Sequence, residues 1–420
     1  FVVPWLVHLV EQSRLGGDEA QDDRVVERLQ LAVDTFAAHA VYGADTAFPR
    51  AETVHALLVI LRRMPMLVHD SVAALRAFGE MISHTHEGQY ALIMQLLEAC
   101  LSEERRERDG ALQCLVPLDL TELEFSPALW LAMHSDLAPL ASQIWTENAL
   151  DVPSTYVSSL VPLLRHAHAY VRTSAARAVG AACALHPDTL GALLEALRML
   201  YHAENYSLAP EYDQYGMVIE STLGREDPWH VRVAVARAIE ASAPSFRAAD
   251  VVPFFVFALQ PGTALSDRHE AVRQAMLEAS SAVIDARGGD VLSELLSQLE
   301  ASLESEHDAV TEAAVVLLGR AARYLPADSA HVRRIVERLL SALRTPSELV
   351  QEAVASCLPA LVRASAAAKD VPSIVDRLFV DLLHGDKYAT RRGAAYGLAG
   401  VVKGRGVSAI RELRILARLS

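Results

Sequence analysis

Aromatic side chains make up only 6% of this 420-residue chain. That leaves little Phe, Tyr and Trp for packed β-sheets, whose strands favour β-branched and aromatic residues. Cysteine is scarcer still. Cys100, Cys114, Cys183 and Cys357 stand far apart with no CxxC, which argues against a disulfide framework and fits a reducing compartment such as the cytosol or nucleus. No apolar run approaches the ~20 residues that cross a bilayer. The longest conspicuous one, Val251 to Leu259, is nine residues long and contains Pro253, so a membrane-spanning reading is rejected. The loops that carry phosphate, hydrolase-elbow and zincin chemistry (GxxxxGKS/T, GxSxG and HExxH) do not occur. Gly404-Arg405-Gly406 is a lone GxG after a helix and reads as a C-terminal turn. Glu103 and Glu104, among Arg105, Arg106 and Arg108, read as a solvated helix face. His84, His86 and Glu87, and separately His166 and His168, offer paired imidazoles with no nearby cysteine. Structural zinc wants four closed ligands; the His166/His168 pair is expected in a turn facing water. The expectation is a chain with no catalytic site, no cofactor, no metal and no small-molecule substrate.

What is abundant is Leu, Ala and Val, which carry most of a 52% hydrophobic fraction suited to packed helices. The net charge is −15 and is unevenly spread. Eight bases and two acids between Asp386 and Ser420 make that end +6, leaving −21 on the rest. The chain begins at Phe1 and stops inside a helical pattern, Ile410 to Leu419, and is expected to be part of something longer.

Internal repeats decide the fold class. Six helix starts share a small-residue amphipathic pattern anchored at Val171, Val231, Val272, Val310, Val350 and Ala389, spaced by 60, 41, 38, 40 and 39 residues. HEAT units run about 40 to 47 residues, so the spacings imply stacked helix pairs, with the 60 holding an insertion near 203–227. Partner helices are expected at Tyr156–His166, Thr189–His202, Val251–Gln260, Val291–Leu303, Val332–Leu343 and Ile374–Leu383. Asp227-Pro228 and Thr345-Pro346 have the form of an N-cap followed by proline at the first helical position, and Thr345 with Glu348 has capping-box spacing. The reading is an all-α HEAT-repeat α-solenoid. Residues 1–150 hold irregular HEAT-like repeats, with degenerate anchors at His69–Val72 and His134–Leu137, and 151–420 hold regular ones.

Two places are candidate partner surfaces. The insertion carries Tyr206, Tyr212, Asp213 and Tyr215, with six acids against one base, Arg225; it either binds a protein or folds back over an apolar edge. At the basic end, Arg391, Arg392, Lys403 and Arg405 are the candidates for contact with phosphate or an acidic protein. The first two sit in a helix's first turn, where the dipole disfavours cations, so their position calls for another cause. Ion pairing between neighbouring repeats is the alternative.

Residues Leu208–Met217, Asp227-Pro228-Trp229, Thr345-Pro346-Ser347-Glu348 and, most specifically, Asp386–Gly406 together resemble the general amino-acid control translational activators. These are very long, ribosome-bound HEAT solenoids. The likeness is sharpest over about residues 150 to 410. It implies a middle segment, running toward the part that resembles a fungal elongation factor's HEAT region. By the resemblance, the partners are the ribosome, through rRNA or ribosomal proteins, and, via neighbouring segments, an ABC-type ATPase and the starvation kinase that phosphorylates initiation factor two alpha. A cytoplasmic location follows from the same likeness. The competing reading from the residues alone is a generic HEAT protein-binding scaffold of the nuclear-transport-receptor or phosphatase-scaffold type.

Overall fold

The computed structural model describes residues 2–12, 23–42, 45, 48–82, 89–210, 214–215, 217–220, 224–325, 330–363 and 370–419. They form two compact units, Phe1–Leu185 and His186–Ser420. In the first lie α1 (Val2–Gln12), α2 (Asp23–His39), α3 (Arg50–Arg63), α4 (Val68–Ile82), α5 (Gln89–Ala99), α6 (Arg105–Leu115), α7 (Pro127–Met133), α8 (Ala138–Glu147), α9 (Val157–Leu160) and α10 (Ala169–Leu185). The second holds α11 (Leu190–Ala203), α12 (Trp229–Ser242), α13 (Ala248–Ala258), α14 (Glu270–Arg287), α15 (Leu292–Ser302), α16 (Asp308–Ala321), α17 (Ala330–Ala342), α18 (Glu348–Arg363), α19 (Val371–His384), α20 (Tyr388–Arg405), α21 (Ser408–Glu412) and α22 (Ile415–Leu419). The fold is an α-solenoid of stacked helix pairs.

The small-residue periodicity explains why the second helix of each pair packs as it does. Along α10, Val171, Ser174, Ala175, Ala178, Val179 and Ala182 are all buried, a 3.6-residue stripe facing the core. In the second unit the second helices contact one another in order, α12 on α14, α14 on α16, α16 on α18 and α18 on α20, while each first helix packs on its own partner. A hairpin thereby shares its core with its neighbours, as repeat folds require.

Five anchor valines occupy the third position of their helices and are buried. The sixth anchor is misplaced by one residue. Helix α20 begins at Tyr388, so its equivalent of Val350 is Thr390, not Ala389. The expected helix Tyr156–His166 is a single α-turn that tightens into a 3-10 segment, Val161–Arg165. Pro162 is the cause, because it has no amide to give the carbonyl four residues back. Neither expected cap forms. Helix α12 starts after Pro228 without a side-chain cap, and the Asp227 carboxylate bonds arginines instead. For α18 the hydroxyl near the first amides is that of Ser347, 3.5 Å from the Val350 nitrogen. Glu348 is drawn to Arg392 and Tyr396 instead of a capping box. The run from Glu103 to Arg108 is no plain solvated face either, since Glu107 and Arg108 are buried. Glu107 takes two bonds from Arg62 on α3.

Helix α20 approaches α18 more closely than side chains would allow. Gly393, Gly397, Gly400 and Gly404 lie buried along its packed face. A Cβ on Gly393 would land on the Leu343 carbonyl oxygen, and one on Gly400 would come within 2.9 Å of the Ala355 carbonyl oxygen. Gly393→Ala should therefore destabilise the protein by about 1–3 kcal/mol, the usual cost of overpacking, read as a lowered midpoint of thermal unfolding. Gly191 on α11 has open space around it, so Gly191→Ala is the control and should leave the midpoint unchanged or raised.

Candidate functional site

Seven second helices carry a hydrogen-bond donor side chain at their fourth residue. These residues are Arg108, Arg172, Arg232, Arg273, Thr311, Gln351 and Arg391. Six of them donate to the carbonyl six residues earlier, in the turn that joins the helices of the pair. Arg108 Nη1 reaches Ser102 O at 2.9 Å, Arg172 Nη1 reaches His166 O at 2.7 Å and Arg273 Nη1 reaches Asp267 O at 2.9 Å. Thr311 Oγ1 reaches Ser305 O at 3.4 Å, Gln351 Nε2 reaches Thr345 O at 2.7 Å and Arg391 Nη1 reaches Gly385 O at 3.0 Å. The turn residue often answers with its own side chain. Ser102, His166, Asp267 and Ser305 each accept from the backbone amide two residues on.

This clasp accounts for Arg391. A cation at a helix start loses about 0.3–1 kcal/mol to the dipole, whereas a hydrogen bond from a charged group is worth about 1.5–3 kcal/mol. The turn carbonyl thus supplies a cause that needs no outside partner. Arg392 is committed as well. Its guanidinium, 23% exposed, donates to Gln351 Oε1 at 2.9 Å, Glu348 Oε2 at 2.9 Å and Pro346 O at 2.8 Å. The structure brings these two arginines together as links within the stack. Lys403 and Arg405 differ. Both are exposed in the last turn of α20 and form no ion pair among the described residues, and Lys387, Arg411 and Arg414 share that condition.

Arg232 is the exception among the seven, and the insertion is the reason. Its buried guanidinium grips Asp267 through Nε (2.7 Å) and Nη2 (2.9 Å). On its other side it grips Asp227 Oδ1 at 2.7 Å and the Glu204 carbonyl at 2.8 Å. Tyr201, also buried, gives its hydroxyl proton to Asp267 at 2.5 Å and accepts from the Ala264 amide at 2.8 Å. Arg268 closes the cluster, bonding Asp227 Oδ1 at 2.7 Å and the Tyr206 carbonyl at 2.8 Å. Both stems of the insertion are thereby tied to the turn before α14. Tyr206 belongs to this stem, half-buried with its hydroxyl on the Glu226 carbonyl at 2.9 Å. Tyr215 is 81% exposed. Tyr212 and Asp213 lie outside the described residues, as do His84, His86 and Glu87.

Electrostatics follow from the contacts. The Arg268 hydrogen bond, aided by Arg232 and opposed by burial, holds the Asp227 carboxyl well below the usual carboxylate range. Burial pulls the Arg232 guanidinium down, but its bonds to Asp267 and Asp227 outweigh this and leave it raised. In the first unit, His166 and His168 lie with ring centroids 5.1 Å apart. His168 Nδ1 is 3.4 Å from Glu103, and burial, with His168 and Arg172 beside it, lowers the His166 pKa. These histidines line an open cleft of about 640 Å³ together with His55, Arg62 and Glu98. Burial pushes the Cys100 and Cys114 thiols up to about 12, so both stay protonated and poorly nucleophilic.

With the geometry described, comparison with known proteins is informative. Residues 119–323 match the family described as "Stalled ribosome sensor GCN1, HEAT repeats". The human protein named "Stalled ribosome sensor GCN1" is 35% identical over 292 residues, covering 68% of this chain and 11% of that protein. The Saccharomyces cerevisiae "eIF-2-alpha kinase activator GCN1" is 30% identical over 443 residues, 100% of this chain and 16% of that protein. The chain belongs to the GCN1 family. It spans only 11–16% of the length of these GCN1 relatives. Arabidopsis thaliana "Protein ILITYHIA" is 30% identical over 79% of this GCN1-family chain and 12% of its own. A crystal structure of a mutant Kap121p superposes with a TM-score of 0.50 at 12% identity, covering 100% of this chain and 46% of that one, a likeness of fold alone.

The buried cluster escaped sequence reading because most of its bonds join residues 28 to 66 apart. The clasp did leave a signal, a polar residue directly after each anchor valine. Removing one charge of the cluster, as in Arg232→Met, should cost about 3–5 kcal/mol because buried carboxylates lose their partner. Denaturant unfolding of the variant measures it. The Asp227 contribution is complete above the ordinary carboxylate pKa of about 3.9 and is lost as the pH falls through the lower folded-state value. Asp227→Asn should therefore flatten the acid limb of the stability–pH curve.

Proposed function

We propose that this chain is a non-enzymatic scaffold segment of a cytoplasmic, ribosome-associated translational regulator, one that promotes activation of the amino-acid-starvation kinase acting on initiation factor two alpha. The names of the relatives support the reading: a stalled ribosome sensor in human and an eIF-2-alpha kinase activator in yeast. The observation that carries it is the exposed group Lys403, Arg405, Arg411 and Arg414, without ion pairs among the described residues, on a chain whose net charge is −15. Structural cations in this protein are consumed by turns and neighbouring repeats, as Arg391 and Arg392 are. Cations left unpaired are the ones available to phosphate, and arginine's planar fork fits it in two-point contact. The scaffold acts by geometry, holding the kinase and the ribosome at a fixed separation through neighbouring segments.

Co-sedimentation of the full-length protein with purified ribosomes over a salt series tests this. Lys403→Glu combined with Arg405→Glu, Arg411→Glu and Arg414→Glu should abolish pelleting near 150 mM salt, and the slope of log affinity on log salt should fall by about 1 per lost phosphate contact. Arg391→Ala with Arg392→Ala should instead lower the unfolding midpoint and leave the slope alone. Unchanged pelleting of the fourfold reversal at every salt concentration would remove this end from the contact.

A further inference from the structure

The seven second helices described above begin with Arg105, Ala169, Trp229, Glu270, Asp308, Glu348 and Tyr388. All seven of these first residues are exposed. Five are small or charged, as suits a position that faces water. The two aromatics depart from the pattern. Trp229 has a planar partner: its ring stacks on that of His269 in the next repeat, with centroids 4.4 Å apart and planes 1° from parallel. Tyr388 stands at the same position with 69% of its surface open.

The ring is held on a firm support. Arg392, one turn further along α20, is bonded to Gln351, Glu348 and Pro346 and lies over the Tyr388 ring, 5.8 Å from its centroid. The bond from Arg391 to the Gly385 carbonyl closes the turn before the helix. One face of the phenol is thus backed by a fixed guanidinium, and its exposure leaves the other face to solvent. Lys387 beside it is exposed and forms no ion pair among the described residues, with Asp386 the one exposed acid of the turn. An open aromatic face next to an unpaired cation suits a single-stranded nucleotide, whose base stacks while its phosphate meets the lysine. A base inside a duplex has no free face to offer. We propose that Tyr388 is a stacking platform for an unpaired base of ribosomal RNA, with Lys387 on the adjoining phosphate. The inference rests on the ribosome-bound reading above and deepens it. Lys403 lies at the other end of α20, about 22 Å away at the α-helical rise, so the two ends of this helix meet different nucleotides.

Stacking and charge separate in a salt series. In co-sedimentation of the full-length protein with purified ribosomes, Tyr388→Ala should weaken binding about tenfold and leave the salt slope unchanged. Tyr388→Phe keeps the ring and should bind as the wild type does, whereas Lys387→Ala should lower the slope by about 1. Short-wavelength ultraviolet irradiation of the complex, followed by mass spectrometry, should place a nucleotide on the peptide that carries Tyr388. A Tyr388→Ala protein that pellets like the wild type overturns the inference. If its unfolding midpoint also falls, the ring is a joint to a neighbouring repeat, as Trp229 is. Weakened pelleting with no nucleotide on that peptide overturns it too, in favour of a ribosomal protein as the partner. All of these results leave the ribosome-bound reading standing; failure of the wild-type protein to pellet overturns the reading itself.

Discussion

The bond from the fourth residue of a second helix to the turn carbonyl six residues earlier is the contact on which the repeat depends. A helical hairpin's tight turn exposes carbonyls that neither helix can satisfy, and burying them unpaired would cost about 1–3 kcal/mol each. In this chain an arginine, a threonine or a glutamine does the work. All three donate, and a donor to a carbonyl need not carry a positive charge, which is why such different side chains serve at this position. In four of the six clasped helices the residue just before the clasp is a valine buried in the core: Val171, Val272, Val310 and Val350.

Contacts between repeats are of a different kind. Arg237 with Glu278 and Arg338 with Glu304 join neighbouring hairpins through partly exposed side chains, and Arg344 with Asp381 does so with the carboxylate more covered. Pairs of this sort contribute about 0–1 kcal/mol and weaken with salt. The exception is the fully buried Arg232–Asp267 pair, placed where a long insertion interrupts the array. This buried pair thus stands at the largest irregularity of the second unit, within the cluster that ties both stems of the insertion to the turn before α14.

The sequence showed the helices and hid the tertiary bonds, for physical reasons. Periodic burial is written in every helix, so Val291–Leu303 was legible to within one residue of Leu292–Ser302 at each end. Proline's effect was harder to weigh, and Pro162 shortened a helix that apolar spacing alone would have continued. Arg391 and Arg392 looked like ligands for an outside anion because their acceptors are mostly carbonyls and neutral groups, which no residue code advertises. Lys403 and Arg405 kept their exposure because they point away from the packed face of α20, where every third or fourth residue is glycine. At the insertion, the sequence located the segment but not its roots; Asp227 passed for a helix cap, whereas its partners are Arg232 and, 41 residues away, Arg268.

The glycine face of α20 has a mechanical consequence. At Gly400 and Gly404 the two helices touch backbone to backbone, so that stretch of the joint holds no long side chain that could slide or change rotamer. Helices α18 and α20 therefore behave as one strut. Lys403 and Arg405, in the last turn of α20, are thereby carried on the same packed unit.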